Sequence, residues 1–296
     1  MRRTPRTAAA RRAECPGEPA ADSDRLPEPP RQDCPWCGSP RLRARRPLRP
    51  GAFGVDVCRD CAHVFRNPRP TVEELARHDS DAPDCPRGGH RLAERLFGAR
   101  ASTRRHRAAA RALLPLAEPE SWLDVGTGHG HFPEAAKEIH PYTSFDGLDP
   151  TRRVHRAGAA GRLEEAHRGH LTDPAILTRL RSRYDVVSML RHLEHSPDPR
   201  AELRAALTVL RPGGHLLVES ADPARAFGRL LWVPHGRPRV LHLVPQANLL
   251  AELEHLGCAI VDATATAAAR ASARLPRPPR LSTAYRVIAR RPPSPT

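Results

Sequence analysis

The pattern of apolar and polar positions divides the chain into short apolar runs and longer segments with apolar residues at helical spacing. The apolar runs predict strands at residues 121–125, 144–148, 167–171, 185–190, 215–219, 258–263 and 284–290. Strands that alternate with helical segments indicate an α/β fold built on a mainly parallel sheet. A chain of 296 residues has room for one such domain and a small additional module.

The ends of the chain and the segment before the first strand have other patterns. Residues 1–32 and the tail at 292–296 are rich in proline, arginine and alanine without a sustained period, which predicts a disordered arm and tail. Between residues 71 and 118, apolar residues recur at helical spacing, at Leu92, Leu96, Ala99, Ala109, Ala112, Leu113 and Leu116. This predicts a helical linker, which we expect to cover the cleft of an α/β domain at residues 119–291.

The first strand runs directly into the sequence W-L-D-V-G-T-G-H-G. Three glycines alternate in this turn, at Gly126, Gly128 and Gly130. They permit a tight turn and a close approach of the backbone to a ligand, and Asp149 at the end of the second strand can accept ribose hydroxyls. Because position 131 is His131, the pattern differs from the dinucleotide fingerprint G-x-G-x-x-G. The alternative is a strand–helix turn that needs glycines only for its shape.

Three further blocks follow the glycine turn in order. The apolar run Tyr184 to Leu190 leads into R-H-L-E-H-S-P-D-P, and then R-P-G-G at residues 211–214 precedes the strand at 215–219. Together with the turn, these blocks resemble the class I S-adenosylmethionine-dependent methyltransferases over residues 121–220. The resemblance implies a seven-stranded Rossmann-like sheet of order 3-2-1-4-5-7-6 with an antiparallel last strand. It also implies methyl transfer with S-adenosyl-L-methionine as cofactor.

The resemblance further implies which residues bind the cofactor. The methionine end is expected at Asp124, Gly126, Thr127, Gly128 and Gly130. Asp149 is expected to bind the ribose, Leu171 and Thr172 to border the adenine, and Met189 and Leu190 to line the sulfonium side. Asp149 has an alternative role, since an acid before Pro150 can also cap the following helix.

A general base is needed only if the methyl acceptor is a poorly acidic group. The candidates are His192, Glu194, His195, His235 and His242. We take His195 as the catalytic candidate. The pair Glu194–His195 has the alternative of a structural role, linking the fourth strand to its helix.

Four of the seven cysteines form two C-x-x-C pairs, Cys34 with Cys37 and Cys58 with Cys61. This spacing is typical of a zinc ribbon with four cysteine ligands, here at residues 33–70, in which the metal supplies most of the folding free energy. A redox pair or free core cysteines are the alternatives. The stretch from Cys61 through N-P-R-P-T resembles the N-terminal zinc-binding segment of a bacterial methyltransferase group. The other three cysteines are predicted bystanders, at Cys15, Cys85 and Cys258.

The net charge of +15 invites a nucleic-acid interpretation. However, Lys137 is the only lysine and arginine is abundant, which is typical of a GC-rich coding sequence. The chain also lacks a basic stretch interleaved with aromatic residues of the kind that stacks bases. We therefore do not expect nucleic acid as a partner.

Neither a long apolar run nor a signal-peptide pattern is present, and seven cysteines do not suit a disulfide framework. We therefore expect a cytoplasmic protein without a membrane segment. The prediction is a methyltransferase that acts on a small-molecule acceptor, sugar-like or from secondary metabolism. The alternatives are an RNA methyltransferase with a zinc ribbon, and a non-catalytic protein that binds the cofactor and docks a partner.

Overall fold

The computed structural model describes residues 28–45, 54–71, 73–75, 92–223, 240–265 and 284–293, with side chains omitted at residues 45, 92–101 and 265. The strands are β1 (Leu42–Arg45), β2 (Val55–Cys58), β3 (Val64–Arg66), β4 (Ser121–Val125), β5 (Ser144–Asp149), β6 (Ala166–Arg168), β7 (Tyr184–Leu190), β8 (Leu210–Ala221), β9 (His242–Leu243), β10 (Ala259–Ala265) and β11 (Ala284–Arg290). The helices are α1 (Leu92–Arg111), α2 (His131–Lys137), α3 (Arg153–Ala159), α4 (Pro174–Leu180), α5 (Pro199–Val209) and α6 (Gln246–His255), with a 3-10 helix at Leu193–His195.

Seven strands form the large sheet, in the order β10-β11-β8-β7-β4-β5-β6. β8, β7, β4, β5 and β6 run parallel to one another, whereas β11 is antiparallel to both β8 and β10. The α/β fold and the predicted order, with an antiparallel last strand, are confirmed. The strand order reverses beside β4, so the carboxyl ends of β4, β5 and β7 meet where an open parallel sheet offers a crevice.

Two of the predicted strands have an end that differs from the prediction by three residues or more. β6 ends at Arg168 because Gly169 takes a φ of +150°, in the region that favours glycine, so Leu171 lies beyond the strand. β8 begins at Leu210 rather than at residue 215. Residues 211–214, which the sequence places before this strand, form an irregularity within it, opposite the step from Tyr184 to Val186.

Apolar side chains fill both faces of the large sheet. On one face, Ala109, Ala110 and Leu113 pack with the buried rings of Trp122 and Phe145. On the other face, the apolar sides of α5 and α6 pack against β7, β8 and β11. The α1 helix confirms a helix within the predicted linker, whereas its proposed role as a cleft cover stays a prediction.

A second sheet of four antiparallel strands has the order β1-β2-β3-β9. The other three strands belong to residues 33–70, which we call the cysteine module. β9 comes from the segment between β8 and α6, far along the chain from this module. Cys34, Trp36 and Phe65 of this module belong to the same apolar core as Leu193 and Leu249 of the α/β domain. The module therefore packs as part of the α/β core.

Several predictions fall outside the described residues. They include the arm before residue 28, residues 76–91 of the linker, the base candidate His235, and the bystanders Cys15 and Cys85. Cys258, the third bystander, is buried just before β10, as expected for a core cysteine. Among the helices that the structure describes, none has the length and apolar character needed to cross a bilayer.

Candidate functional site

The glycine turn lies at the carboxyl end of β4, beside the end of β5. Gly126, Gly128 and Gly130 have φ values of +76°, +54° and +72°, which a residue with a side chain adopts only at a cost. The backbone N–H groups of Gly126 and Thr127 donate to the carbonyl of Leu148, at 2.8 and 3.2 Å. The turn is thereby fixed to the last residues of β5.

Asp149 is buried at the end of β5 and uses its two carboxylate oxygens in different directions. Oδ2 accepts the backbone N–H of Gly128 at 3.0 Å. Oδ1 accepts the backbone N–H of Thr151 at 2.9 Å, and the Thr151 hydroxyl as well. One oxygen therefore stabilises the turn before α3, as in the capping alternative, while the other faces the glycine turn.

Asp124 is buried between β4 and β7. Its carboxylate accepts the Ser188 hydroxyl at 2.7 Å, and Ser188 Oγ accepts the indole N–H of Trp122 at 3.0 Å. Burial raises the pKa of Asp124 to about 7. The group is therefore sensitive to pH near neutrality, and it favours a cation that restores its charged form.

The glycine turn leaves room for a ligand on one side. A Cβ added at Gly128 would meet no atom within 4 Å, so open space adjoins this residue. A Cβ added at Gly126 would lie 2.6 Å from Nδ1 of His192, so the ring of His192 packs directly against Gly126. The open space and the carboxylates of Asp124 and Asp149 fit a ligand with one cationic end and a pair of hydroxyls.

His192 follows β7 and is fixed by its neighbours. Arg191 before it has a φ of +60°, a conformation that residues other than glycine rarely adopt. Nε2 of His192 lies 3.4 Å from the carboxylate of Glu202, which is buried on α5. Burial opposes the charged ring, but Glu202, aided by Asp149 and Asp124, raises the pKa of His192 above its ordinary value.

The Glu194–His195 pair is divided between the interior and the surface. Glu194 is buried and accepts the backbone N–H of Ala221 at 2.6 Å and the Ser220 hydroxyl at 3.3 Å. These bonds connect the 3-10 helix to the end of β8, which is the structural role considered as an alternative. His195 is exposed on the same short helix. It stays a prediction as a catalytic residue.

The other predicted cofactor residues have different degrees of burial. Leu171 and Met189 are buried, Leu190 is half-buried, and Thr172 is exposed. Met189 and Leu190 end β7, beside β4, in parallel register with it. The predicted sulfonium-side residues thus lie at the same edge of the sheet as the glycine turn.

The four cysteines of the two C-x-x-C pairs meet in one cluster. Their sulfur atoms all lie within 4.8 Å of one another. Sγ of Cys34 is 3.6 Å from Sγ of Cys61, and Sγ of Cys37 is 3.6 Å from Sγ of Cys58. Sulfur atoms about 2.3 Å from a tetrahedral metal are separated by about 3.8 Å, so the cluster fits one zinc ion.

His242, one of the base candidates, is buried in the small sheet. Its ring lies beside that of His63 and nearly coplanar with it, and its Nε2 lies 3.3 Å from the carbonyl oxygen of Pro197. His63, Ser188 and Glu202 were missed by sequence reasoning. His63 and Ser188 lie far along the chain from their partners, His242 and Asp124. Glu202 meets His192 only through the packing of α5, of which the local spacing carries no sign.

The sequence profile of the methyltransferase domain family matches residues 92–263, more than half of the chain. The chain belongs to the methyltransferase domain family. Relatives named ubiquinone biosynthesis O-methyltransferase include one from Vibrio parahaemolyticus, 30% identical over 133 residues, which are 43% of this chain and 53% of the relative. Another, from Serratia proteamaculans, is 32% identical over 134 residues, or 43% of this chain and 52% of the relative. The chain thus spans about half the length of these curated relatives.

The family's fold is also found among solved structures. One is the methyltransferase in a complex with the Trm112 methyltransferase activator of Haloferax volcanii. The match has a TM-score of 0.55 and 17% identity, and it covers 74% of this chain and 98% of that one. At this identity the likeness concerns the fold alone.

Proposed function

We propose that the protein is an S-adenosylmethionine-dependent methyltransferase that acts on a small-molecule acceptor. The observation that carries the proposal is the glycine turn between Asp124 and Asp149, with open space beside Gly128. The family membership and the names of the relatives support it. The word O-methyltransferase in those names favours a hydroxyl as the acceptor group.

The residues of the chain would bind the cofactor at four points. Asp124 would pair with the ammonium group at the methionine end, and the backbone of Gly126 and Gly128 would approach this end closely. Asp149 would accept the ribose hydroxyls through the oxygen that faces the turn. Leu171 and Thr172 would border the adenine, and Met189 and Leu190 would line the sulfonium side.

The bound cofactor supplies a methyl group on a sulfonium, which is already activated for displacement. The task of the protein is then to hold the acceptor in line with the methyl group and to exclude water. For a poorly acidic hydroxyl, we propose His192 as a second candidate base beside His195. The carboxylate of Glu202 lies 3.4 Å from Nε2 of His192, and Nδ1 on the other side of the ring is directed at the glycine turn, where the neutral ring would accept a proton.

We further propose that Cys34, Cys37, Cys58 and Cys61 bind one structural zinc ion. The sulfur–sulfur distances support a tetrahedral site. The backbone N–H of Trp36 also donates to Sγ of Cys34 at 3.4 Å, which suits a thiolate. A redox role has less support, because all four sulfur atoms gather in one cluster with close contacts between the two C-x-x-C pairs.

Calorimetric titration with S-adenosylhomocysteine tests the cofactor assignment, with NAD as the competing ligand. We expect saturable binding of S-adenosylhomocysteine and none of NAD. A preference for NAD would refute the proposal.

Transfer of labelled methyl from S-adenosylmethionine to a panel of phenols, sugars and tRNA then separates a small-molecule enzyme from an RNA methyltransferase. Binding without transfer to any class would favour the non-catalytic alternative.

A further inference from the structure

Backbone bonds connect the cysteine module to the segment that carries His192. β9 pairs with β3 in antiparallel register. The backbone N–H of Arg66 donates to the carbonyl of Leu241 at 2.9 Å, and the N–H of Leu241 donates to the carbonyl of Glu194 at 2.7 Å. The small sheet therefore extends to the 3-10 helix that follows His192.

Two buried histidines form a second connection. The rings of His63 and His242 lie side by side and nearly coplanar, with centroids 5.2 Å apart and planes at 12°. Nδ1 of His63 lies 3.7 Å from Sγ of Cys34, and its Nε2 lies 3.2 Å from Nδ1 of His242. Nε2 of His242 lies 3.3 Å from the carbonyl oxygen of Pro197. The pair thus spans the distance from the cysteine cluster to the loop before α5.

The hydrogen-bond direction along this pair is fixed at one end. A carbonyl oxygen only accepts, so Nε2 of His242 must carry a hydrogen and donate to Pro197. Burial lowers the pKa of His242 to about 3, so its ring is neutral and its Nδ1 accepts from Nε2 of His63. Each ring therefore holds the other in one orientation.

The carbonyl of Pro197 receives another donor from the cysteine module. Nη1 of Arg69 donates to it at 3.2 Å, and Nε of Arg69 pairs with Glu28. Asp198, the next residue, caps α5 through the backbone N–H groups of Arg200 and Ala201. α5 in turn carries Glu202, the partner of His192.

We propose that His63 and His242 are positioning residues that couple zinc occupancy of the cysteine cluster to cofactor binding. They hold Pro197, and through it the loop and the start of α5 that set His192 against the glycine turn. The inference rests on the proposed function, since it is measured through affinity for S-adenosylhomocysteine. Coupling of this kind is reciprocal, so cofactor binding must strengthen zinc binding by the same factor.

The first experiment is calorimetric titration of the full chain with S-adenosylhomocysteine, zinc-loaded and after treatment with a chelator. We expect the affinity to fall about 3- to 10-fold without zinc, the range set by one lost hydrogen bond. Competition with a chelator measures the affinity for zinc, and S-adenosylhomocysteine should raise this affinity by the same factor. Circular dichroism checks that the chelated protein stays folded.

The second experiment uses His242→Phe, which keeps a planar aromatic ring beside His63 but loses both hydrogen bonds. In the zinc-loaded variant we expect one zinc per chain, the same fall in affinity, and faster amide exchange at residues 192–198. His242→Gln restores a donor toward Pro197 and should recover part of the affinity. Asn248→Ala is the matched control, because it removes a bond of 2.8 Å to the carbonyl of Cys61 without affecting Pro197.

The outcomes separate the inference from the proposed function. Equal affinity with and without zinc in a folded wild type, or wild-type affinity and exchange in His242→Phe, would overturn the inference. If chelation unfolds the protein, the affinity and the amide exchange of the zinc-loaded His242→Phe variant decide whether the inference holds. If that variant does not fold, Arg69→Gln replaces it, because it removes the other donor to Pro197. A zinc-loaded wild type that does not bind S-adenosylhomocysteine would overturn the proposed function instead.

Discussion

The carboxylate of Asp149 accepts the backbone N–H of Gly128 at 3.0 Å. This bond joins the acid at the end of β5 to the middle of the glycine turn after β4. The two parts of the motif are therefore held at a fixed separation before any ligand binds. Preorganisation of this kind reduces the cost of ordering the site on binding.

Asp149→Asn should weaken the binding of S-adenosylhomocysteine while the protein stays folded. The amide can still accept from Thr151, but the ribose hydroxyls lose a charged acceptor, at a cost of about 1.5–3 kcal/mol. Calorimetry measures the change. Asp262→Asn is the control, because Asp262 lies on β10 at the opposite edge of the sheet and the amide keeps an acceptor for the Thr264 hydroxyl. Equal affinity in Asp149→Asn and the control would place the ribose partner elsewhere.

Three glycine-to-alanine variants should separate strain, steric clash and ligand contact. Gly161 and Gly126 have φ values of +70° and +76°, but only at Gly126 would a Cβ clash, with Nδ1 of His192. We expect Gly161→Ala to cost about 1–2 kcal/mol of unfolding free energy and Gly126→Ala to cost more. In a His192→Ala background the clash is absent, so Gly126→Ala should cost no more unfolding free energy than Gly161→Ala. Gly128→Ala should behave like Gly161→Ala in thermal unfolding but lose affinity for S-adenosylhomocysteine, since its Cβ would enter the open space.

Asp124 should make cofactor affinity depend on pH. Its pKa of about 7 lies above the ordinary value of 3.8, so the ligand-free protein holds a proton near pH 6. If the carboxylate pairs with the cofactor's ammonium group, affinity rises toward tenfold per pH unit below about pH 7 and levels off above it. The stability of the ligand-free protein depends on pH in the opposite direction. The stabilisation that comes from protonated Asp124 is fully present below about pH 4 and is lost as the pH rises through 7.

Titrations with S-adenosylhomocysteine at a series of pH values test this dependence, together with thermal unfolding of the ligand-free protein. Asp124→Asn, which keeps an acceptor for Ser188, should flatten both profiles. An unchanged pH profile in this variant would assign the titration to another group.

Cys58→Ser should abolish zinc binding, because the cluster then lacks one of its four thiolates. Metal analysis should give about one zinc per chain in the wild type and little in the variant. Cys258→Ser is the matched control, since Cys258 is also buried but lies outside the cluster. Full zinc retention in Cys58→Ser and in the double variant Cys34→Ser/Cys58→Ser would refute the site.

RNA should bind weakly and without sequence preference at physiological salt. The densest arginine runs, at residues 2–3, 11–12, 41–49 and 104–107, lie outside the α/β domain and carry almost no aromatic residues that could stack on bases. Gel shifts with tRNA and rRNA at two salt concentrations measure the affinity. Tight binding that persists at about 200 mM salt, where phosphate contacts have lost most of their strength, would favour the RNA methyltransferase alternative.

The local parts of this protein could be predicted from its sequence. The strands and the glycine turn are encoded by residues adjacent in the chain, through apolar runs and glycines at alternate positions. The cysteine cluster follows from spacing alone. The strand order was predicted from the resemblance of four blocks to a family whose strand connectivity is known.

The tertiary structure decided the contacts between distant segments. β9 completes the sheet of the cysteine module, and this pairing buries His242 beside His63 instead of leaving it as a candidate base. Glu202 meets His192 only because α5 packs beside β7. A histidine or glutamate looks the same in the sequence whether it is exposed or buried. Only packing sets its surroundings, and those surroundings determine whether it positions a loop, holds a proton or remains in solvent.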